Sequence, residues 1–407
     1  MNQHVIDLAE TCLGCKKPKC SKGCPINTPI PKMIELFLNG GIKEAGKMLF
    51  DNNPLSLVCS LVCPHEKHCE GHCILNKNSY PVSVGSIEHY ISSRYMNDVT
   101  FEKPPFNGHR IAIIGSGPAG IALAFIMAGK GYRVTMYDAH DKIGGVLRYG
   151  IPNFRLDKRI LDQLVEKLVS LGVIIRPNTF IGKNINLCDL TRDGFDAIFL
   201  STGVWSPKKL GIKGESLGHV HFAIDYLKNP SVYNLGQKVV VLGAGNVAMD
   251  VARTAIRNGV EEVRIMYRRG EQDMSAEKHE IQCAKIDGVK FDFYRNPIEI
   301  TEEGIKYITT DENPQEGFEE TDTVFISISQ NPNDIITSNN ARINVDEKGL
   351  YITDEYGRTT REGVFASGDA VTGARTVVEA VAFSKRAAQA IEEHIASLHV
   401  KKTCCDN

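Results

Sequence analysis

Eight of the twelve cysteines lie within the first 73 residues, in two tight groups. They read Cys12-x2-Cys15-x4-Cys20-x3-Cys24-Pro25 and Cys59-x3-Cys63-Pro64-x4-Cys69-x3-Cys73. Thiolates at such spacings hold metal, and the Cys-Pro endings favour iron–sulfur clusters. Structural zinc is the alternative, because four cysteines at short spacing also suit that ion. Disulfides are a further one. Against them, Met1-Asn2-Gln3-His4 carries neither the basic nor the apolar stretch of a secretory signal. A cytoplasmic setting is expected, in which the thiols stay reduced and available to metal.

The chain has 407 residues, enough for two or three domains, each with its own core. A net charge of −2 gives no reason to expect nucleic acid or a membrane surface as partner. The apolar run from Ile121 to Ala128 is too short to span a bilayer. Residues 1–107 read as a helical, cysteine-rich domain in which Ile30, Met33, Ile34 and Phe37 could cover a cluster with hydrocarbon. Lys103-Pro104-Pro105-Phe106-Asn107-Gly108 then reads as a linker.

Past that join the pattern becomes strand, glycine turn, helix, strand, twice over. Ile111-Ala112-Ile113-Ile114 leads into Gly115-Ser116-Gly117-Pro118-Ala119-Gly120, and Val239 to Leu242 leads into Gly243-Ala244-Gly245-Asn246-Val247-Ala248. Alone, such a loop is a weak signal; between a strand and a helix it gains the context its mechanism needs. Gly115 permits the turn, Gly117 admits a pyrophosphate to the backbone, and Gly120 lets helix pack on strand. The helix N-terminus offers free N–H groups to the phosphates. Asp138, at the end of the next strand, can accept hydrogen bonds from ribose hydroxyls.

In the second loop Ala248 takes the third glycine's place. Where an NAD site would carry an acid, the chain reads Tyr267-Arg268-Arg269-Gly270. Guanidinium groups grip a 2′-phosphate that a carboxylate would repel, so NADPH is favoured over NADH. Farther on, Gly363 to Ala370 reads as a strand ending in Gly368-Asp369, followed by a helix from about Thr376-Val377. This segment would close a flavin pocket, with Asp369 at the ribityl or pyrophosphate region. No convincing catalytic triad or carboxylate pair is visible, and neither nucleotide domain holds a Cys-x-x-Cys.

In this order the cysteine region, Gly115 to Gly120, Gly144-Gly145-Val-Leu147-Arg-Tyr-Gly-Ile-Pro152, Gly243 to Asp250, Tyr267-Arg-Arg269 and Ser367-Gly-Asp369 resemble one family. It is the glutamate synthase small (β) subunit family, which includes the electron-input part of dihydropyrimidine dehydrogenase. The likeness spans residues 12 to about 395.

It implies an α/β chain: a helical domain with two [4Fe–4S] clusters (1–107), then two Rossmann-like domains. An FAD domain (108–204 and 333–407) is interrupted by an NAD(P)H domain (205–332). The flavin would be held by Gly115, Gly117, Pro118, Ala119, Gly120, Asp138, Gly145, Leu147, Thr202, Gly203, Gly368, Asp369, Thr376 and Val377. NADPH would be held by Gly243, Gly245, Asn246, Val247, Ala248, Arg268 and Arg269.

Counting along the chain would assign Cys12, Cys15, Cys20 and Cys24 to one cluster. The resemblance instead pairs Cys12, Cys15 and Cys20 with Cys73, and Cys24 with Cys63, Cys69 and Glu88. Cys59 competes with Glu88 for the last place. The implied function is to take hydride from NADPH onto FAD and pass single electrons through the clusters to a partner flavoprotein or catalytic subunit. An electron-bifurcating NADH-dependent ferredoxin:NADP oxidoreductase subunit is the alternative enzyme, and a redox-sensing or assembly module the non-enzymatic one. Two departures stand out: Ser329 where relatives often have Gly, and Ser275 where they often have Pro. Neither is expected to touch a ligand. Cys188 and Cys283 are expected to be packed thiols.

Overall fold

Apolar runs bounded by glycine become buried parallel strands here. The computed structural model describes residues 2–405 except 78, 312, 333–334 and 339–341. It forms two compact units. Met1–Leu147, Phe154–Val204 and Pro332–Asn407 make one, and Arg148–Asn153 with Trp205–Asn331 the other.

In the first unit a five-stranded sheet runs in the order Val364–Ala366, Ala197–Leu200, Arg110–Ile114, Arg133–Tyr137, Ile174–Arg176, with every pairing parallel. Such strands are covered on both faces, which is why Ile111 to Ile114 is continuously apolar rather than alternating. The chain leaves Arg110–Ile114 toward one edge and later returns to its other side. The loop at Gly115 therefore sits at the carboxyl-end switch point where open α/β sheets bind ligands. Helices Pro118–Gly129 and Val377–Cys405 belong to the same unit.

The cysteine region is helical: Gln3–Glu10, Lys19–Gly23, Ile30–Leu38, Ile42–Asn52, Ser56–Val62 and Val84–Asp98. Pro31 stands in the first turn of Ile30–Leu38, where a missing N–H costs nothing. Ile30, Met33, Ile34 and Phe37 lie on one face of that helix and are all buried, packed with Leu49, Ile87 and Ile91. Cys69 is buried in this core, and Cys12, Cys20 and Cys73 pack against it. Of the four helix residues, Ile30 also lines the recess shared by Cys12, Cys15, Cys20 and Cys73.

The second unit repeats the parallel design: Val220–Phe222, Thr323–Ile326, Lys238–Leu242, Glu262–Tyr267, Lys290–Phe293. An antiparallel meander, Arg295–Thr301, Gly304–Thr309 and Glu316–Glu320, belongs to it. Beneath the sheet, Arg253 is buried and donates to Glu280 at 2.7 Å and Asp287 at 2.9 Å, which ties the helix Asn246–Arg257 to Lys278–Ile286. Among the described residues no helix is long and apolar enough to cross a membrane.

Candidate functional site

The first glycine loop is shaped by contacts that only glycine tolerates. Gly115 has φ +94°, and a Cβ there would lie 2.4 Å from the Ser201 carbonyl oxygen. A Cβ on Gly120 would lie 2.2 Å from the Gly115 carbonyl oxygen, and one on Gly145 2.7 Å from Gly117 Cα. Gly117 differs: its Cβ would meet nothing within 4 Å. Gly115, Gly120 and Gly145 are thus used to close the loop on the sheet, while Gly117 borders open space. Gly117 also caps the helix Pro118–Gly129 with no side-chain hydrogen bond, leaving the first-turn N–H groups for an anion.

Asp138 does more inside the chain than expected. Its carboxylate accepts hydrogen bonds from the Ser116 amide at 2.8 Å and hydroxyl, and from the His140 amide at 2.8 Å and Nδ1 at 3.0 Å. Burial pushes the carboxyl up, but these bonds outweigh it and hold the pKa below the usual Asp value. Asp138 pins the glycine loop. Leu147 is fully buried, and its carbonyl accepts Lys158 Nζ at 2.7 Å. Thr202 and Gly203 follow the strand Ala197–Leu200, where Thr202 Cα would be 3.0 Å from a Gly115 Cβ.

The Gly-Asp segment reaches the same place from the far end of the sequence. A Cβ on Gly368 would be 3.1 Å from Ala119 Cβ, and Ser384 Oγ donates to the Ala119 carbonyl at 3.1 Å. Asp369 accepts the Arg375 amide at 3.1 Å, and burial pushes its carboxyl up to about 6. Thr376 and Glu379 bond reciprocally ahead of Val377–Cys405, a capping box made by the Thr-x-x-Glu spacing.

In the second unit Gly243 has φ +133°, and a Cβ there would strike the Ser327 carbonyl oxygen at 2.2 Å. Gly245 caps Asn246–Arg257 without a side-chain bond. Ala248 is fully buried, while Asn246 bonds Glu277 through its side chain. Val247 packs against the core below. Arg268 and Arg269 follow Glu262–Tyr267 and are exposed, and among the described residues neither guanidinium meets a carboxylate. Two free guanidiniums suit a phosphate. Ser275, not expected to touch a ligand, lies with Oγ 3.4 Å from the place of a Gly245 Cβ. Ser329 belongs to this unit: its carbonyl accepts Lys208 N at 3.1 Å, and it holds φ +107°.

Cys12, Cys15, Cys20 and Cys73 line one recess with Ile30, Pro31 and Val84, partly open to solvent. Burial pushes the Cys20 thiol up, and the neighbouring Cys73 and Cys12 add to the shift. Cys24, Cys63, Cys69, Cys59 and Glu88 form a second neighbourhood, in which each of the other four perturbs Cys63. Burial leads in raising the thiols of Cys63, Cys69 and Cys59. A metal entering here must displace those protons.

Both candidates for the last ligand stand in this second group. Cys59 is buried and bonded by Asn53. Glu88 is buried, makes no hydrogen bond among the described residues, and is pushed by burial up to about 8. Among the described residues no three His, Cys, Asp or Glu side chains converge as a single-ion site. Cys188, expected to be packed, is exposed and bonded by Arg361 at 3.5 Å; Cys283 is half-exposed beside His279.

Two family models match these two regions. One, described as pyridine nucleotide-disulphide oxidoreductase, covers residues 109–384; the other, described as dihydropyrimidine dehydrogenase domain II, 4Fe-4S cluster, covers 1–100. The glutamate synthase [NADPH] small chain of Escherichia coli is 32% identical over 94% of this chain and 90% of its own length. Its counterpart in Halomonas elongata is 35% identical over 97% and 91%. The chain belongs to the glutamate synthase small-chain family. It is an NADPH-dependent flavoprotein oxidoreductase with FAD and [4Fe–4S] clusters as cofactors. FprA of Mycobacterium tuberculosis, solved with NADPH, shares the fold at TM-score 0.61 and 18% identity, over 74% of this chain and 86% of its own.

Sequence reasoning missed the second-layer groups of this family site. Asn52, Asn53, Thr28 and Lys385 support the cysteines, yet no short motif announces them. Ser116, the hydroxyl between the first two glycines, is the one such group that a motif does mark.

Proposed function

We propose that this chain is the electron-input subunit of a larger complex, taking hydride from NADPH and delivering single electrons to a partner flavoprotein of the glutamate synthase or dihydropyrimidine dehydrogenase type. FAD, when bound, supplies the conversion of two-electron to one-electron chemistry. The observation that carries the reading is that both cysteine groups and the Gly115 loop occur in one compact unit. There Lys385, on the helix that follows Thr376, bonds Asn52 of the cysteine region at 2.8 Å.

In this reading Gly117 and the first turn after it receive the flavin pyrophosphate, while Gly368 and Asp369 close over it. Gly245 and the helix it caps receive the NADPH pyrophosphate, and Arg268 with Arg269 the 2′-phosphate. Cys12, Cys15, Cys20 and Cys73 hold one cluster; Cys24, Cys63, Cys69 and Glu88 hold the other. Glu88 is preferred to Cys59 on energetic grounds. A buried carboxyl group with no hydrogen bond is costly unless it has a ligand to bind, whereas a buried thiol is an ordinary small apolar group.

Two experiments test this. The isolated anaerobic chain should reduce artificial dyes with NADPH, yet turn over neither 2-oxoglutarate with glutamine nor uracil. Turnover of a natural substrate by the lone chain would refute the partner. Cys59→Ala should retain about eight irons per chain, and Glu88→Ala should not; the reverse pattern assigns the ligand to Cys59.

A further inference from the structure

Lys385 sits on the helix Val377–Cys405, half-buried, with no carboxylate paired to it among the described residues. Its Nζ donates to two neutral acceptors, the Asn52 carbonyl at 2.9 Å and Asn52 Oδ1 at 2.8 Å. A cation withdrawn from water without a counter-ion is expensive to keep. The contacts beyond Asn52 lead to Cys24. Asn52 Nδ2 donates to Thr28 Oγ1 and to the Ile26 carbonyl, each at 3.3 Å, and Thr28 Oγ1 lies 3.3 Å from Cys24 Sγ. Thr28 is buried. Burial lowers the ammonium pKa, and among the described residues the Cys24 sulfur is the group that acts against that shift. A cation, an amide, a hydroxyl and a sulfur thus run in sequence from the flavin-side helix to a ligand of the second cluster.

We propose that Lys385 sets the reduction potential of the cluster bound by Cys24, its positive charge favouring the reduced state. The inference rests on the reading above of Cys24 as a ligand. Reduction adds one electron to that cluster, originating from NADPH, with no protein bond made or broken and no proton leaving Lys385. The added negative charge is stabilised by a half-buried cation linked to the ligand sulfur through two side chains, and charge and hydrogen bonding near the sulfurs are the means by which proteins tune such potentials. Asn52 and Thr28 are positioning residues that link the cation to the sulfur.

The test is an anaerobic redox titration of the holo chain, each cluster followed by EPR, with its iron content measured. Lys385→Met and Lys385→Gln should each lower the reduced-to-oxidised ratio of the second cluster about tenfold at a fixed potential, a shift of about 59 mV for one electron. Lys385→Arg should match the native chain, and the cluster of Cys12, Cys15, Cys20 and Cys73 should stay unmoved. The Gln variant keeps an amide donor toward Asn52, so it separates charge from packing if the Met variant loses iron. Unchanged potentials in the neutral variants overturn the inference, as does loss of the cluster from both. Cys24→Ser tests the underlying reading: retention of both cluster signals there removes it. Loss of one signal, with unchanged Lys385 potentials, overturns the inference alone.

Discussion

Gly115 and Gly117 stand two residues apart in one loop, and the structure assigns them different work. An alanine at 115 meets two penalties. Its φ of +94° disfavours an L-residue by about 1–2 kcal/mol. Its Cβ would also lie 2.4 Å from the Ser201 oxygen, 2.7 Å from that carbonyl carbon and 3.0 Å from Thr202 Cα. These are backbone atoms beside the neighbouring strand and cannot turn aside, so relief needs a shift of about 1–3 kcal/mol. The lower entropy of the unfolded alanine chain returns about 0.4–1 kcal/mol. Gly115→Ala should therefore destabilise by about 1–5 kcal/mol.

At Gly117 the backbone is extended, φ −70° and ψ −172°, and a Cβ enters open space. Gly117→Ala should leave stability within about 1 kcal/mol of the native chain, yet weaken flavin retention at least tenfold by filling the space the pyrophosphate approaches. Urea unfolding of flavin-free protein measures the first quantity, and flavin titration of the folded variants the second. Equal destabilisation by the two substitutions would refute the division of labour, as would full flavin retention in Gly117→Ala.

Three further expectations come from other parts of the molecule. Arg268→Ala removes a charge-assisted contact worth about 1.5–3 kcal/mol, so the NADPH-over-NADH preference in kcat/KM should fall about ten- to a hundredfold; unchanged constants for both nucleotides would end that assignment. Asp369 has a folded pKa of about 6, above its ordinary 3.8, so its contribution is fully present at low pH and is lost as pH rises through about 6. That amounts to about 3 kcal/mol, and flavin-free Asp369→Asn should show a correspondingly flatter stability profile between about pH 4 and 7; a profile parallel to the native one would contradict it. Ser329→Gly relieves a φ of +107° and should raise unfolding stability by about 0.5–1 kcal/mol; lower thermal stability would show that the serine is held by contacts outweighing its strain.

What the sequence discloses tracks how local each signal is. The strands before Gly115 and Gly243 are short β-branched runs, and the helices after them begin at the glycine loop; both are written in adjacent residues. The cysteine groups are equally visible, but which thiols share a site is not. Cys73 reaches the recess of Cys12, Cys15 and Cys20 through the packing of Ile30 and Val84. Consecutive spacing points instead to Cys24, which faces Cys63 and Cys69. Asp138 was legible as the acid after the second strand, but its bonds to Ser116 and His140 depend on how the loop folds back. Lys385 and Asn52 lie 333 positions apart. Tertiary packing alone makes them neighbours, and no periodicity could have paired them.

The central claim is that electrons from NADPH reach the cysteine-bound clusters through this chain. Anaerobic addition of NADPH to the holo chain, with flavin absorbance and cluster EPR followed in the same sample, tests it most directly. Flavin bleaching accompanied by reduced-cluster signals, both diminished in Gly117→Ala, is the predicted result. Cluster reduction that persists without flavin, or flavin reduction with clusters unchanged under excess NADPH, would contradict the account.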